Sequence, residues 1–169
     1  MNSYFACPYN LDAAGFHFNS LDEYSERAAG CVDSFGSVVE EFELQFIDGA
    51  AADAELFEAL GVSQASLSVW FDRAEDLHAE AKAAAFYLAS QCGRTAEDAL
   101  DDAEDVVIRE GELVEAATEQ FDEFYSDLPQ SVRMYVDLDA YARDCRLNGE
   151  LDEFEFAGST YTVLNANDF

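Results

Sequence analysis

The sequence predicts an α+β protein in three parts: a mixed N-terminal part (residues 1–61), an all-helical central part (62–103) and a mixed C-terminal part (104–169). Apolar residues alternate with polar ones at both ends, as in half-buried strands, and recur every three or four residues in the middle, as in helices. Half of the 169 residues are hydrophobic and 14% are aromatic, so the chain can build a core despite a net charge of −29. Because parts of roughly 40–65 residues are marginal alone and like charges oppose compaction, we expect an elongated chain.

The N-terminal part is predicted to fold as strand, strand, helix, strand. The apolar runs Tyr4–Cys7 and Gly15–Phe18 form the first two strands, and either Asn19 or Ser20 caps the helix that follows. The buried face of that helix is expected to carry Leu21, Tyr24, Ala28 and Cys31. The last strand alternates apolar and polar residues from Phe42 to Phe46 and is ended by Asp48-Gly49.

The stretch from Asp53 to Asp102, which covers nearly all of the central part, is predicted to be helical throughout. Its apolar residues form three stripes, which are Leu56–Leu60 before Gly61, Leu67–Leu77, and Ala79–Cys92 before Gly93. A glycine just past the last periodic residue is a common helix end. Thr95–Asp98 resembles the capping box that begins a further helix.

The C-terminal part is predicted to contain a strand, two helices and a closing hairpin. The strand covers Val106–Ile108, and the helices cover Glu112–Tyr125 and Asp137–Asn148, with Pro129 in the loop between them. The first of these helices is expected to turn Leu113, Ala117, Phe121 and Phe124 inward and its acids outward. Two short apolar runs flank Gly158, which predicts the hairpin.

Charge and composition exclude several classes of function. With 37 acidic against 8 basic residues, no basic patch can hold phosphates, so direct nucleic-acid binding is not expected. The sequence has no run of 18 apolar residues and no charged leader before an apolar core, so we predict neither a membrane span nor secretion. Four scattered cysteines without a C-x-x-C pair favour reduced core thiols in a cytoplasmic protein.

Sequence motifs of enzymes are missing or incomplete. His17 lies between two phenylalanines of a predicted strand and is expected to face solvent. His78-Ala79-Glu80 resembles half of a zinc deaminase signature, but the P-C-x-x-C half is absent. Asp137–Tyr141 begins like an EF-hand loop, but Ala142 stands where the turn glycine belongs. No P-loop, G-x-S-x-G or G-x-G-x-x-G occurs. We predict no enzymatic activity, no catalytic residue, no metal site and no cofactor.

The excess of acidic residues extends along the whole chain. Acids outnumber bases 12 to 1 in residues 1–61, 8 to 3 in 62–103 and 17 to 4 in 104–169. A solvated surface or adaptation to high salt would also give many acids, yet a net charge of about 2–8 in magnitude is ample for solubility. Like charges three or four residues apart destabilise a helix, and one predicted helix nevertheless carries Glu112, Glu115, Glu119 and Asp122 in a row.

Anions fixed on a rigid surface can imitate the phosphates of duplex DNA, which carries one charge per about 1.7 Å of its axis. We therefore predict that exposed carboxylates act collectively as phosphate mimics toward a basic DNA-binding protein. The candidates are Asp22, Glu23, Glu26, Glu40, Glu41, Asp72, Glu75, Asp76, Glu112, Glu115, Glu119 and Asp122.

Three segments resemble the ArdA antirestriction family: residues 15–24, 40–49 and 135–144. Their order and spacing agree across nearly the whole chain. The most specific segment is 135–149, which contains Y-x-D-x-x-A-x-A-R-D followed by Asn148-Gly149. Residues 108–117 lie where that family carries its antirestriction motif, here without the aromatic residues associated with it.

The resemblance implies an elongated, curved protein of three domains that forms a homodimer through its C-terminal part and imitates bent B-form DNA. It implies that the partner is a type I restriction–modification enzyme, whose DNA-binding groove the protein would occupy to protect incoming plasmid or transposon DNA. Because phosphate contacts carry no base information, such a mimic should act across recognition sequences. The same charge also suits an acidic inhibitor or chaperone of another basic DNA-binding protein, for example an anti-CRISPR protein.

Overall fold

The computed structural model describes all 169 residues, which divide into two compact units, Met1–Asp101 and Asp102–Phe169. Each unit contains helices and a three-stranded antiparallel sheet, so the predicted α+β class is confirmed. None of the helices is long and apolar enough to cross a bilayer. The division into three parts, at residues 61 and 103, stays a prediction.

The sheet of the first unit has the order β2-β1-β3, with β1 (Ser3–Pro8) between β2 (Phe16–Phe18) and β3 (Phe42–Asp48). Side chains alternate between the faces as predicted, because successive residues of a strand point to opposite sides. The inner face buries every second residue of β1, and the outer face exposes His17 and Glu43. All three predicted strands are confirmed, as is the exposure of His17.

Helix α1 (Leu21–Ala29) follows β2 and packs on the inner face of this sheet. Ser20 is its N-cap, since its hydroxyl accepts a hydrogen bond from the Glu23 N–H at 3.2 Å. Tyr24 is buried against Phe18, with ring centroids 5.1 Å apart. Cys31 lies beyond the end of the helix, so its predicted place on the buried helix face is wrong.

The rest of the first unit is helical: α2 (Ala51–Ala59), α3 (Leu67–Val69), α4 (Ala79–Ser90) and α5 (Ala96–Asp102). The single helix expected over Leu67–Leu77 is a short α-helix that continues as a π-helical turn, Trp70–Ala74. In that wider turn the Glu75 N–H donates to the Trp70 carbonyl, five residues back, at 2.9 Å. The wide turn coincides with burial of the Trp70 indole, whose N–H donates to the Tyr4 hydroxyl at 2.8 Å.

The core of the first unit is an aromatic cluster centred on Tyr4. Its ring centroid lies between 5.3 and 6.4 Å from those of Phe18, Phe46, Phe57, Trp70 and Phe71. These partners come from β2, β3, α2 and the π-helical turn, so one side chain joins the sheet to the helices. Edge-to-face contacts of this kind add about 0.5–1.5 kcal/mol each beyond the area they bury.

The second unit contains a sheet of order β4-β6-β5 and three helices. Its elements are β4 (Ile108–Glu110), α6 (Leu113–Phe124), α7 (Gln130–Arg133), α8 (Leu138–Leu147), β5 (Asp152–Phe156) and β6 (Ser159–Val163). Short 3-10 turns cover Ala103–Asp105 and Ala166–Asp168. The two predicted helices and the hairpin are confirmed, and the turn of the hairpin is Ala157-Gly158, both with positive φ.

Two details of the second unit differ from what the sequence predicts. The strand expected at Val106–Ile108 begins two residues later, because the 3-10 turn reaches Asp105 and the Asn165 side chain accepts the Val107 N–H at 2.8 Å. Phe124, the last residue of α6, is 66% exposed rather than inward, and it lies outside the core of this unit. That core contains Leu113, Ala117, Ala142, Cys145 and Leu151.

The four cysteines are free thiols. Cys145 is buried, and burial raises the pKa of its thiol. The other three are only partly buried, which corrects the expectation that all four belong to the core.

Candidate functional site: an acidic surface

The acidic residues lie almost entirely at the surface. Of the 37, 29 are exposed, seven are partly buried and Asp53 alone is buried. The first unit carries nineteen acids against four bases, and the second carries eighteen against four. The negative charge is therefore shared nearly equally by two folded units.

In the first unit, acidic side chains are exposed on α1 and on the segment before β3, where the backbone is held by hydrogen bonds. Asp22 and Glu26 are exposed on α1, whose buried side chain is Tyr24. Glu40 and Glu41 are also exposed, while their backbone carbonyls accept hydrogen bonds from the Gln64 side chain (3.1 Å) and the Tyr9 N–H (3.2 Å). These four carboxylates face solvent on an ordered scaffold.

Glu23 has a structural role within the same helix. Its carboxylate accepts the Asn19 N–H at 3.0 Å and pairs with Arg27 at 2.8 Å. The first contact satisfies a backbone donor at the helix start, as the carboxylate of a capping box does. Glu23 is also partly buried, so its carboxylate is occupied by contacts within the protein.

The predicted row on α6 is present and exposed. Glu112, Glu115, Glu119 and Asp122 all face solvent. Two of them have basic partners within the unit, because Arg109 pairs with Glu119 and Arg133 pairs with Asp122. These ion pairs reduce the like-charge repulsion along the row.

The acids near the π-helical turn separate into two kinds. Asp72 and Asp76 are exposed, whereas Glu75 is partly buried. The Glu75 carboxylate accepts hydrogen bonds from the Tyr4 hydroxyl (2.7 Å) and from the Asn2 side-chain amide (3.0 Å). Glu75 therefore belongs to an internal network rather than to the free surface.

That network is centred on the only lysine of the chain. Lys82 is buried on α4, pairs with the buried Asp53 and donates to the Glu75 carbonyl at 2.6 Å. The Asn2 amide bridges Asp53 (2.8 Å) and Glu75. Burial, followed by the hydrogen bond to Glu75, raises the pKa of Tyr4 far above its usual value.

This network was not predicted from the sequence. The available signal was a single lysine in an alanine-rich helix, since a charged residue that is buried there needs a partner. Sequence periodicity cannot say which of 37 acids provides it.

Eight of the twelve candidate acids make no side-chain hydrogen bond or ion pair. They are Asp22, Glu26, Glu40, Glu41, Asp72, Asp76, Glu112 and Glu115. The remaining four, Glu23, Glu75, Glu119 and Asp122, have partners within their own unit. The structure thus divides the predicted set into available and engaged carboxylates.

The concave regions of the surface are shallow clefts. One of them has a volume of about 620 Å³ and is lined by residues that include Glu23, Glu26, Arg27 and Cys31. No three His, Cys, Asp or Glu side chains converge in a way that could hold a metal ion.

Comparison with known proteins identifies the family. The family model described as "Antirestriction protein (ArdA)" matches residues 11–157. The chain therefore belongs to the ArdA antirestriction protein family, and the resemblance of the segments 15–24, 40–49 and 135–144 is confirmed. No curated protein and no solved structure matches the chain.

Proposed function

We propose that this chain is a DNA mimic that blocks the DNA-binding groove of type I restriction–modification enzymes. The observation that carries the proposal is the exposure of 29 of the 37 acidic residues on the two folded units. Even if every base neutralised one acid, 29 negative charges would stay uncompensated. On the scale of duplex DNA, that charge corresponds to about 49 Å of helix axis.

In this mechanism carboxylates replace phosphates. Arginine and lysine side chains of the groove donate charge-assisted hydrogen bonds to them, and counterions are released as they are when DNA binds. The eight available carboxylates are the first candidates for these contacts. Glu75 is the least suitable of the twelve, because binding through it would break its hydrogen bonds to Asn2 and Tyr4.

We also propose that the protein acts as an elongated homodimer joined through its C-terminal part. The second unit exposes five large apolar side chains within residues 124–135: Phe124, Tyr125, Val132, Met134 and Tyr135. This segment is held to α6 by the pair of Arg133 with Asp122 and by the Arg133 guanidinium, 5.9 Å from the Phe121 ring centroid. An ordered apolar segment on an otherwise acidic surface is suited to burial between subunits.

The dimer is tested by small-angle scattering and sedimentation. A compact monomer of this length should have a radius of gyration of about 15 Å, and a compact dimer about 20 Å. We expect the wild type to exceed the dimer value and Tyr135→Asp to shift toward monomer. Val107→Asp, also exposed in the second unit, is the control and should stay dimeric. A wild type that sediments as a monomer at micromolar concentration would contradict this proposal.

The mimicry is tested by displacement of labelled DNA from a purified type I enzyme at several salt concentrations. We expect the wild type to displace DNA at low salt and to lose affinity as salt rises, because counterion release weakens with salt. Absence of displacement at low salt would contradict the type I target. Capture of bound proteins from the host would then identify another basic partner.

A pair of octuple variants isolates the role of charge. One variant changes the eight available carboxylates to the corresponding amides, and its matched control exchanges Asp and Glu at the same eight positions. We expect the amide variant to lose affinity by more than tenfold with a shallower salt dependence, and the control to stay within about threefold of the wild type. Equal loss in both variants would argue against phosphate mimicry.

A further inference from the structure

The segment of residues 31–39, which we call the Phe35 loop, is an ordered turn that follows α1. Val32 and Val38 form an antiparallel bridge across it. The Asp33 N–H donates to the Ser37 carbonyl at 2.9 Å, and the Val39 N–H donates to the Cys31 carbonyl at 3.0 Å. Phe35 therefore lies at the tip of a small closed turn.

The carboxylate of Asp33 fixes the tip of this loop. Its Oδ1 accepts the N–H groups of Phe35 (2.9 Å) and Ser37 (2.8 Å), and its Oδ2 accepts the Asn10 side-chain amide (3.2 Å). A further bond, from the Ser34 N–H to the Asp12 carbonyl at 3.0 Å, ties the loop to residues 10–12. The loop is thus anchored to residues 10–12.

This anchoring presents apolar side chains to solvent. Phe35 is 82% exposed. The aromatic residues of the nearby sheet, by contrast, pack against one another. Val32, Val38, Tyr9 and Leu11 are exposed on the loop and on the segment to which it is tied. A side chain held outward by a rigid turn loses little conformational freedom when a partner covers it.

The charges around the loop restrict what that partner can be. Asp12, Glu40 and Glu41 are exposed beside it, and Glu40, Glu41 and Val38 line one shallow cleft. A second copy of the chain would place the same acids face to face, and nucleic acids or anionic lipids would be repelled in the same way. A basic protein surface with an apolar pocket complements both features.

We propose that the Phe35 loop is an apolar anchor that inserts into a pocket bordered by Arg or Lys on the protein that this chain inhibits. The inference rests on the proposed function, and it adds a contact that DNA phosphates do not make. Binding hot spots commonly consist of an aromatic side chain that fills a desolvated pocket, with polar contacts around the pocket. Its contribution comes from apolar burial and does not depend on counterion release.

The experiment uses Phe35→Ala, with Ile47→Ala as the matched control. Ile47 is exposed in the same unit, on β3, outside the Phe35 loop. Affinity for the purified type I enzyme is measured by DNA displacement at several salt concentrations. We expect Phe35→Ala to bind at least about tenfold more weakly at every salt concentration, with the same salt slope as the wild type. Ile47→Ala should bind like the wild type, and Phe35→Leu should lie between wild type and Phe35→Ala.

The outcomes separate this inference from the proposed function. If the wild type displaces DNA and Phe35→Ala binds within twofold of it, the anchor is wrong and the mimicry stands. If the wild type does not displace DNA at low salt, both are wrong. A Phe35→Ala loss matched by Ile47→Ala would also overturn the anchor. Because Phe35 is 82% exposed, thermal unfolding of Phe35→Ala should match that of the wild type.

Discussion

At the scale of single residues, Lys82 is the clearest case of a charge used for folding. It is 9% exposed, and its ammonium group contacts Asp53 and the Glu75 carbonyl. Removing one partner of a buried pair costs about 3–5 kcal/mol, since the other charge stays uncompensated. We therefore expect Lys82→Met to destabilise the first unit by about that amount. Trp70, the only tryptophan, lies in this unit, so its fluorescence in a urea titration reports the loss.

Arg94→Met is the control for that substitution. Arg94 is exposed and makes no ion pair, so its loss should change the free energy of unfolding by less than about 0.5 kcal/mol. Equal stability of Lys82→Met and Arg94→Met would mean that the buried pair contributes nothing.

Gly15 is required by the close approach of two segments. A Cβ at this position would lie 2.4 Å from Phe5 Cζ and 2.6 Å from the Ala6 carbonyl oxygen. The backbone oxygen cannot move without disturbing β1, so we expect Gly15→Ala to cost about 1–3 kcal/mol. At Gly30 the nearest atoms would be 3.8 Å away. Gly30→Ala should therefore be near neutral, and similar melting temperatures for the two variants would refute the packing argument.

At the scale of elements, the Phe35 loop depends on an ionised side chain. Backbone N–H groups of Ser37 and Phe35 hold the pKa of Asp33 below its usual 3.8. The pKa of Asp33 is therefore lower in the folded protein than in the unfolded chain. The stabilisation of the loop by the ionised carboxylate is complete above pH 3.8, and it is lost as the pH falls through the lower pKa of the folded protein. We expect amide resonances of Phe35 and Ser37 to shift with a midpoint below 3.8. A midpoint at or above that value, or an unchanged titration in Asp33→Ala, would contradict this assignment.

Elements also show where sequence patterns stop being sufficient. The alternation in β3 and the cap at Ser20 depend on neighbouring residues, and the structure contains both. The π-helical turn at Trp70–Ala74 contains the Trp70 indole, which donates a hydrogen bond to Tyr4, 66 residues away. The delayed start of β4 depends on Asn165, 58 residues from Val107. Local periodicity contains no information about partners that distant.

At the scale of the whole molecule, the proposed inhibition is a collective effect of many carboxylates. Exposed ion pairs contribute about 0.2–1 kcal/mol each. Glu115→Gln alone should therefore change the half-inhibitory concentration by no more than about fivefold. Stepwise neutralisation of the eight available acids should weaken inhibition gradually. A single amide substitution that abolished inhibition in a folded protein would point to one specific site instead.

Substitution of an engaged acid should affect stability, whereas substitution of an available acid should not. Glu75→Gln removes one negative charge, as Glu115→Gln does, but it also disturbs hydrogen bonds to Asn2 and Tyr4. We expect Glu75→Gln mainly to destabilise the first unit, by about 1–3 kcal/mol in the free energy of unfolding measured by urea titration. Glu115, which has no partner, should leave stability within about 0.5 kcal/mol of the wild type.

The amino-acid sequence by itself determined the α+β class, most element positions, the absence of enzyme motifs and the membership of the ArdA family. These follow from periodicity, composition and short motifs, which are local properties of the chain. Only the tertiary structure decided which acids are available and which are engaged, because Glu75 and Glu119 differ from Asp72 and Glu115 through partners that folding brings near. Burial of Lys82 and outward presentation of Phe35 have the same origin, since both depend on contacts between segments far apart in the sequence.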